Sequence, residues 1–190
     1  MSPNLEATPK NSAAAESPSL EQAIHIDPDG DLLLCVGSEL GTPLNIRVCS
    51  ATMRRASPVW KSMLFGPWNE SKPAHGDWVV SLPEDKTWAT RILLSIVHGN
   101  FGDFPKEVEI VQLYDIAMLA DRYALLRVLW PWVDQWLESA RIKEQMTGQE
   151  RLMRVHAAWQ LGDDELLAAS IRDLICGMAV GSTDEGRTRV

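Results

Sequence analysis

A chain of 190 residues with a formal charge of −8 is long enough for one well-buried domain plus a small extension. Its mild acidity argues against nucleic acid as the main partner, because phosphate binding rests on clustered Lys and Arg. Three widely spaced cysteines, Cys35, Cys49 and Cys176, form no C-x-x-C pair and no zinc spacing; each lies in an apolar run, which predicts buried, reduced thiols.

In chain order, residues 1–23 are rich in Pro, Ser, Ala and Glu, show no apolar core of a signal peptide, and are expected to be a disordered tail. Asp27-Pro28-Asp29-Gly30 is a turn tetrad. The continuous run Leu32 to Val36 predicts a strand covered on both faces, followed by a glycine-bearing hairpin loop. Leu44, Ile46 and Val48 alternate with Asn45 and Arg47, a strand with one buried face. Ser50 offers a cap for a short helix to Ala56, and Ser57-Pro58 restarts a second one with a capping hydroxyl and proline in the first turn. Val59, Trp60, Met63 and Leu64 form its apolar stripe, and Gly66-Pro67 ends it. Trp68 to Lys72 has the composition of a loop.

Trp78 to Leu82 predicts a third strand, and Asp85 or Thr87 a cap for a helix from Trp88 to His98 that Gly99 stops. A helix from Lys106 to Ala120 carries the stripe Val108, Val111, Tyr114, Ala117, Met118; beyond it Asp121 and Arg122 are adjacent charges expected in solvent or tied to backbone. Pro131 marks a kink or a new first turn within Leu125 to Leu137. Trp130, Trp132 and Trp136 there read as packing residues, since no interleaved Lys and Arg make them a platform for nucleic-acid bases. Leu152, Val155 and Trp159 give a stripe to a helix over Gln149 to Leu161, and Gly162 stops it. Asp163 or Asp164 caps the last helix, whose stripe Leu166, Leu167, Ser170, Ile171, Leu174, Ile175, Met178 is the strongest amphipathic signal in the chain; residues 181–190 read as a polar tail.

The order of these segments resembles the BTB/POZ domain. Val48, Met53, Ser57, Pro58, Val59, Trp60, Met63 and Phe65 fit that family's strand–helix–helix motif, with Cys49 standing where the family has histidine. Asp31-Leu32-Leu33-Leu34 resembles its first strand, and Leu119-Ala120-Asp121-Arg122-Tyr123 its recurrent "L-A-D-K-Y" helix ending. The region around Ala158 to Leu167 is similar to the helical hairpin that follows the domain in short fungal members. The resemblance implies an α+β fold, a small sheet of about three main strands with stacked helices. It implies a layout of tail 1–23, BTB/POZ domain 24–140, helical extension 141–180 and tail 181–190. It also implies a protein–protein interaction module inside the cell, in cytoplasm or nucleus, with homodimerisation left open.

In family members that recruit a cullin ubiquitin-ligase scaffold, the loop after the second helix carries "hydrophobic-x-Glu". Trp68, Asn69 and Glu70 match it, and the neighbourhood of His98 and Phe101 would complete the contact. Leu32, Leu34 and Met53 are the residues such a resemblance assigns to self-association. The four histidines are scattered, no Cys/His set has metal spacing, and neither a phosphate loop nor a nucleophile elbow is present. The leading expectation is therefore an adaptor without catalytic, cofactor or metal residues, bound to protein and not to nucleic acid or membrane. A homo-oligomeric scaffold with no cullin role is second, and a small enzyme third.

Overall fold

The computed structural model describes residues 23–102, 105–142 and 145–184. Residues 1–22 of the expected N-terminal tail and 185–190 of the C-terminal one lie outside the described residues.

Strands β1 (Ile24–His25), β2 (Leu32–Val36), β3 (Leu44–Val48) and β4 (Val79–Leu82) form one mixed sheet in the order β1-β3-β2-β4. β2 and β3 are the antiparallel hairpin expected from their apolar patterns, with Leu34 opposite Ile46. β4 runs parallel to β2, and β1 parallel to β3. The sheet thus has four strands where three were expected. β1 is only two residues long, too short for any period to show, and the amide of Ile26 continues its attachment by donating to the Arg47 carbonyl at 3.1 Å.

Leu32, Leu34, Val36, Ile46, Val48, Val80 and Leu82 are all buried. Each such side chain contributes roughly 1.5–3 kcal/mol when fully removed from water. Leu33, the opposite-facing residue of β2, is buried too, so that strand is covered on both sides as its continuous apolar run predicts. The strand expected from Trp78 begins one residue later, and Trp78 itself is buried beside it.

After β3 come α1 (Ser50–Ala56) and α2 (Pro58–Phe65). Ser57 caps α2 as expected: its Oγ accepts from the Trp60 amide at 3.0 Å and donates to the Tyr123 carbonyl at 2.6 Å. The cap of α1 is different from the expected one. Cys49 occupies the cap position without a side-chain bond, and Ser50 belongs to the helix. The free amides are met from two other elements. The Ser50 amide and hydroxyl both donate to Asp31, at 2.9 Å each, and the Cys49 amide donates to His98 Nε2 at 3.1 Å.

α3 (Thr87–His98) follows a Lys86 cap, so neither Asp85 nor Thr87 caps it. Asp85 is occupied elsewhere. It is buried, and its two carboxylate oxygens accept from Tyr123 Oη–H and from Arg122 Nη1. Arg122 keeps about half of its side chain in solvent, as expected, and its partner is the Asp85 carboxylate, not backbone; burial, then the Asp85 hydrogen bond and charge, push the Tyr123 phenol far above its ordinary range.

α4 (Ile110–Arg122) starts four residues later than expected, where the Glu109 amide donates to Gln112 Oε1 at 2.9 Å. Its buried face is Ile110, Leu113, Ile116, Ala117 and Ala120; Met118, placed in the stripe from sequence, is exposed. A 3₁₀ turn over Leu126–Leu129 leads into α5 (Trp130–Ile142), with Pro131 in the first turn, where its missing N–H breaks no helical bond. Trp136 is fully buried and Trp130 is exposed, so of the three tryptophans read as core or interface packing, Trp136 is core and Trp130 is not.

α6 (Gly148–Leu161) is capped by Thr147, whose Oγ1 accepts from the Glu150 amide. Gly162 takes the left-handed conformation, φ 76°, that lets the chain turn back at once. Asp163 Oδ1 accepts from the Leu166 amide at 2.8 Å to start α7 (Asp164–Asp184). That helix continues into 181–184, the first part of the expected tail. α6 lies against α4 and α7, and Arg151 and Arg154 both reach Asp173 of α7. Of the apolar stripe assigned to α6, only Val155 is half-buried. Leu152 and Trp159 are exposed, and the buried face is Arg154, Ala157 and Ala158. In α7, Leu166 and Ser170 are buried, but Ile171 and Ile175 are exposed.

Candidate functional site: a groove beside α2

An apolar concavity lies where the loop after α2 folds back along that helix. Pro58, Val59, Ser62, Met63, Trp68 and Glu70 line an open groove of about 480 Å³. α2 presents one face to the core through Trp60 and Leu64 and the next face, with exposed Val59 and half-buried Met63, to the groove. Two adjacent apolar faces on an eight-residue helix explain its broad stripe in the sequence.

The loop is short and tied at several points. Ser71 Oγ donates to the Gly66 carbonyl and accepts from the Trp68 amide, and the Ser71 amide donates to the Trp68 carbonyl at 3.1 Å. The Lys72 amide donates to the Leu64 carbonyl at 3.3 Å, and Trp78 Nε1 donates to the Glu70 carbonyl at 2.8 Å. Gly66 is required by close approach: a Cβ there would stand 2.3 Å from the Ser62 carbonyl oxygen and 3.1 Å from the Trp68 ring. The Trp68 ring therefore lies over Gly66 at the end of α2, yet 59% of the residue remains in contact with solvent. Asn69 is exposed and Glu70 half-buried. An aromatic surface fixed in place with a carboxylate at its rim loses little conformational entropy on contact.

His98 and Phe101 do not line this groove. His98, at the last turn of α3, points Nδ1 at the Leu94 carbonyl, 2.8 Å, and takes the Cys49 amide at Nε2. An amide can only donate, so Nε2 is the acceptor and the proton sits on Nδ1. His98 thus ties the end of α3 to the start of α1. Phe101, 49% exposed, stacks obliquely on Trp132 with centroids 5.5 Å apart. The five residues grouped from sequence divide into the groove pair Trp68 and Glu70, the exposed Asn69 between them, and two residues held by α1 and α5.

Leu32, Leu34 and Met53, assigned to self-association, have no exposed surface. They pack within the core of their own chain, which corrects that assignment: as alternating strand positions and a helix face they read as interface only if no helix layer covers them. The groove residues Pro58, Val59, Ser62 and Met63 were missing from the site expected from sequence, although the width of the α2 stripe was a usable signal.

Asp31, Arg47, Lys72 and Asp77 edge a polar pocket of about 200 Å³ beside Trp78. There, burial alone would raise the Asp31 pKa; hydrogen bonds from the Ser50 amide, the Lys72 ammonium and the Ser50 hydroxyl outweigh it, holding the carboxyl below its ordinary value. Burial pushes the Cys35 thiol up. Cys35 and Cys49 are half-buried and Cys176 is exposed, so the expectation of three buried thiols is met in part by the first two and fails for the last. Among the described residues no group of three or more His, Cys, Asp and Glu side chains is placed to hold a metal ion, and no helix is long and apolar enough to cross a membrane.

Compared with protein-family models and with curated proteins, the sequence matches none.

Proposed function

We propose that this chain is a non-enzymatic protein–protein interaction module of the BTB/POZ type, and that it docks a cullin-type scaffold at the groove beside α2. The observation that carries this reading is Trp68: a large aromatic surface, anchored by Ser71 and Gly66, left open next to Glu70 over an apolar helix face. Aromatic anchors in shaped apolar surfaces are where interfaces concentrate their energy. The succession of β2–β3 hairpin, α1, Ser57-capped α2 and the Asp85-anchored Arg122-Tyr123 ending adds support from the chain's architecture. A homo-oligomeric scaffold built on Leu32, Leu34 and Met53 loses its basis, because those side chains are internal.

The test is titration calorimetry of the full chain against a purified cullin N-terminal domain. Wild type should bind at micromolar concentration or tighter. Trp68→Ala with Glu70→Lys should weaken binding by at least about 30-fold, the equivalent of a hot-spot loss of about 2 kcal/mol. A folded wild-type sample that gives no heat, or a double variant that binds as well as wild type, sinks this reading.

A further inference from the structure

We propose that α7 pairs, antiparallel, with α7 of a second copy of this chain, through Glu165, Ala168, Ile171 and Arg172. α7 turns Leu166, Ser170 and Asp173 inward; Asp173 meets Arg151 and Arg154 of α6. At 3.6 residues per turn the opposite side carries Glu165, Ala168, Ile171, Arg172 and Ile175, all exposed, with Ile175 at 62%. Neither Glu165 nor Arg172 has an ion-pair partner among the described residues.

The two charges are opposite and seven residues apart, two turns and about 10 Å along the axis. A two-fold pair crossing between Ala168 and Ala169 brings Glu165 of each copy level with Arg172 of the other. The two-fold axis stands perpendicular to the plane of the two helices, so each flank meets its own counterpart. Charges then meet charges on one flank, and Ile171 approaches Ile171 of the second copy on the other, with the alanines allowing the backbones to come close. A parallel pair would set Glu165 against Glu165 and Arg172 against Arg172, which repel. A second copy thus supplies the partner of both charges from the chain's own sequence, in a self-complementary two-fold contact. A single helix-on-helix contact falls below the roughly 1,200 Å² of a standard interface, so the dimer is weak and dilutes apart. The surface is on α7 and not at the α2 groove, so this proposal stands or falls independently of scaffold docking.

Sedimentation velocity of the full chain over about a hundredfold range of concentration should show a reversible monomer–dimer shift. Glu165→Arg alone and Arg172→Glu alone should each weaken the dimer by about tenfold or more, through like charges opposed twice per dimer, and the double exchange should restore it. Ala168→Cys in a Cys176→Ser background should cross-link between chains on mild oxidation, whereas Ile175→Cys, far from the crossing, should not. All these positions are exposed, so circular dichroism melts should match wild type; where a charge variant fails to fold, the cross-linking pair decides. A monomer throughout the range, a dimer indifferent to both single exchanges, an unrestored double exchange, or equal cross-linking at the two cysteine positions would each overturn the proposal.

Discussion

The strand hairpin β2–β3 and the helical hairpin α6–α7 have equally regular apolar patterns, and they meet opposite fates. In the first, Leu32, Leu34, Ile46 and Val48 vanish into the core. In the second, Leu152, Trp159, Ile171 and Ile175 stand in solvent, and α6 spends part of its inward face on Arg154 and two alanines. The difference is the number of layers available. The sheet hairpin is covered by helices, with α3 against β3, while α6 has α4, α5 and α7 beside it and still leaves Leu152 and Trp159 exposed. A period therefore identifies an element and its apolar face, but burial of that face depends on what the rest of the chain places there.

The contrast can be broken most sharply at tryptophan. Trp60 is 1% exposed and its ring lies 5.1 Å from that of Tyr123. Trp60→Ala should cost about 3–5 kcal/mol, transfer plus cavity, read from urea unfolding. Asp85→Ala comes next. It strands the buried Tyr123 hydroxyl, though Arg122 on the other oxygen is half in solvent and adds little, so the loss should be about 2 kcal/mol. If Asp85→Ala proves neutral, the tie between the start of α3 and the end of α4 is not what fixes their packing.

These anchors also show what the sequence made legible. The strands β2 and β3, the Ser57 cap, the Gly66 and Gly162 stops and the Trp68 loop were readable because each depends on residues within a few positions of one another. Asp85, Asp31 and His98 were not. Their partners Tyr123, Ser50 and Cys49 are 38, 19 and 49 residues away, and no local rule connects a carboxylate at a strand's edge to the amides of a helix that starts later. The groove was half legible. Trp68 and Glu70 are legible as a pair, but Val59 and Met63 read only as part of one apolar stripe with Trp60 and Leu64, because periodicity does not distinguish a face that packs inward from the one beside it.

Asp31 gives a smaller and pH-dependent test of such a long-range cap. Its side chain is partly exposed, so its worth is that of an ordinary helix cap, about 1 kcal/mol, lost in Asp31→Ala. The folded carboxyl titrates below its unfolded counterpart. Its contribution is therefore fully present above the unfolded value near about pH 4 and disappears as pH falls through the lower, folded value. Wild type and Asp31→Ala should differ in urea midpoint at pH 7 and pH 5 and converge under stronger acid. A gap that does not narrow under acid would show that the ionised carboxylate is not what caps α1.

The smallest expected effect returns to the helical hairpin. Trp159 is 64% exposed, and its main neighbour is the ring of His156, edge-on at 6.1 Å. Trp159→Ala removes more atoms than almost any substitution can, yet it opens no cavity, and alanine favours the helix. Its cost to the monomer should stay within about 0.5 kcal/mol, an order below Trp60→Ala despite identical chemistry. The measurement belongs at low concentration, where α7 pairing is dissociated, because a contact between copies would add its own stability at high concentration. A cost above about 2 kcal/mol in dilute solution would mean that the outward stripe of α6 is covered within the chain, and the two hairpins would then differ in degree and not in kind.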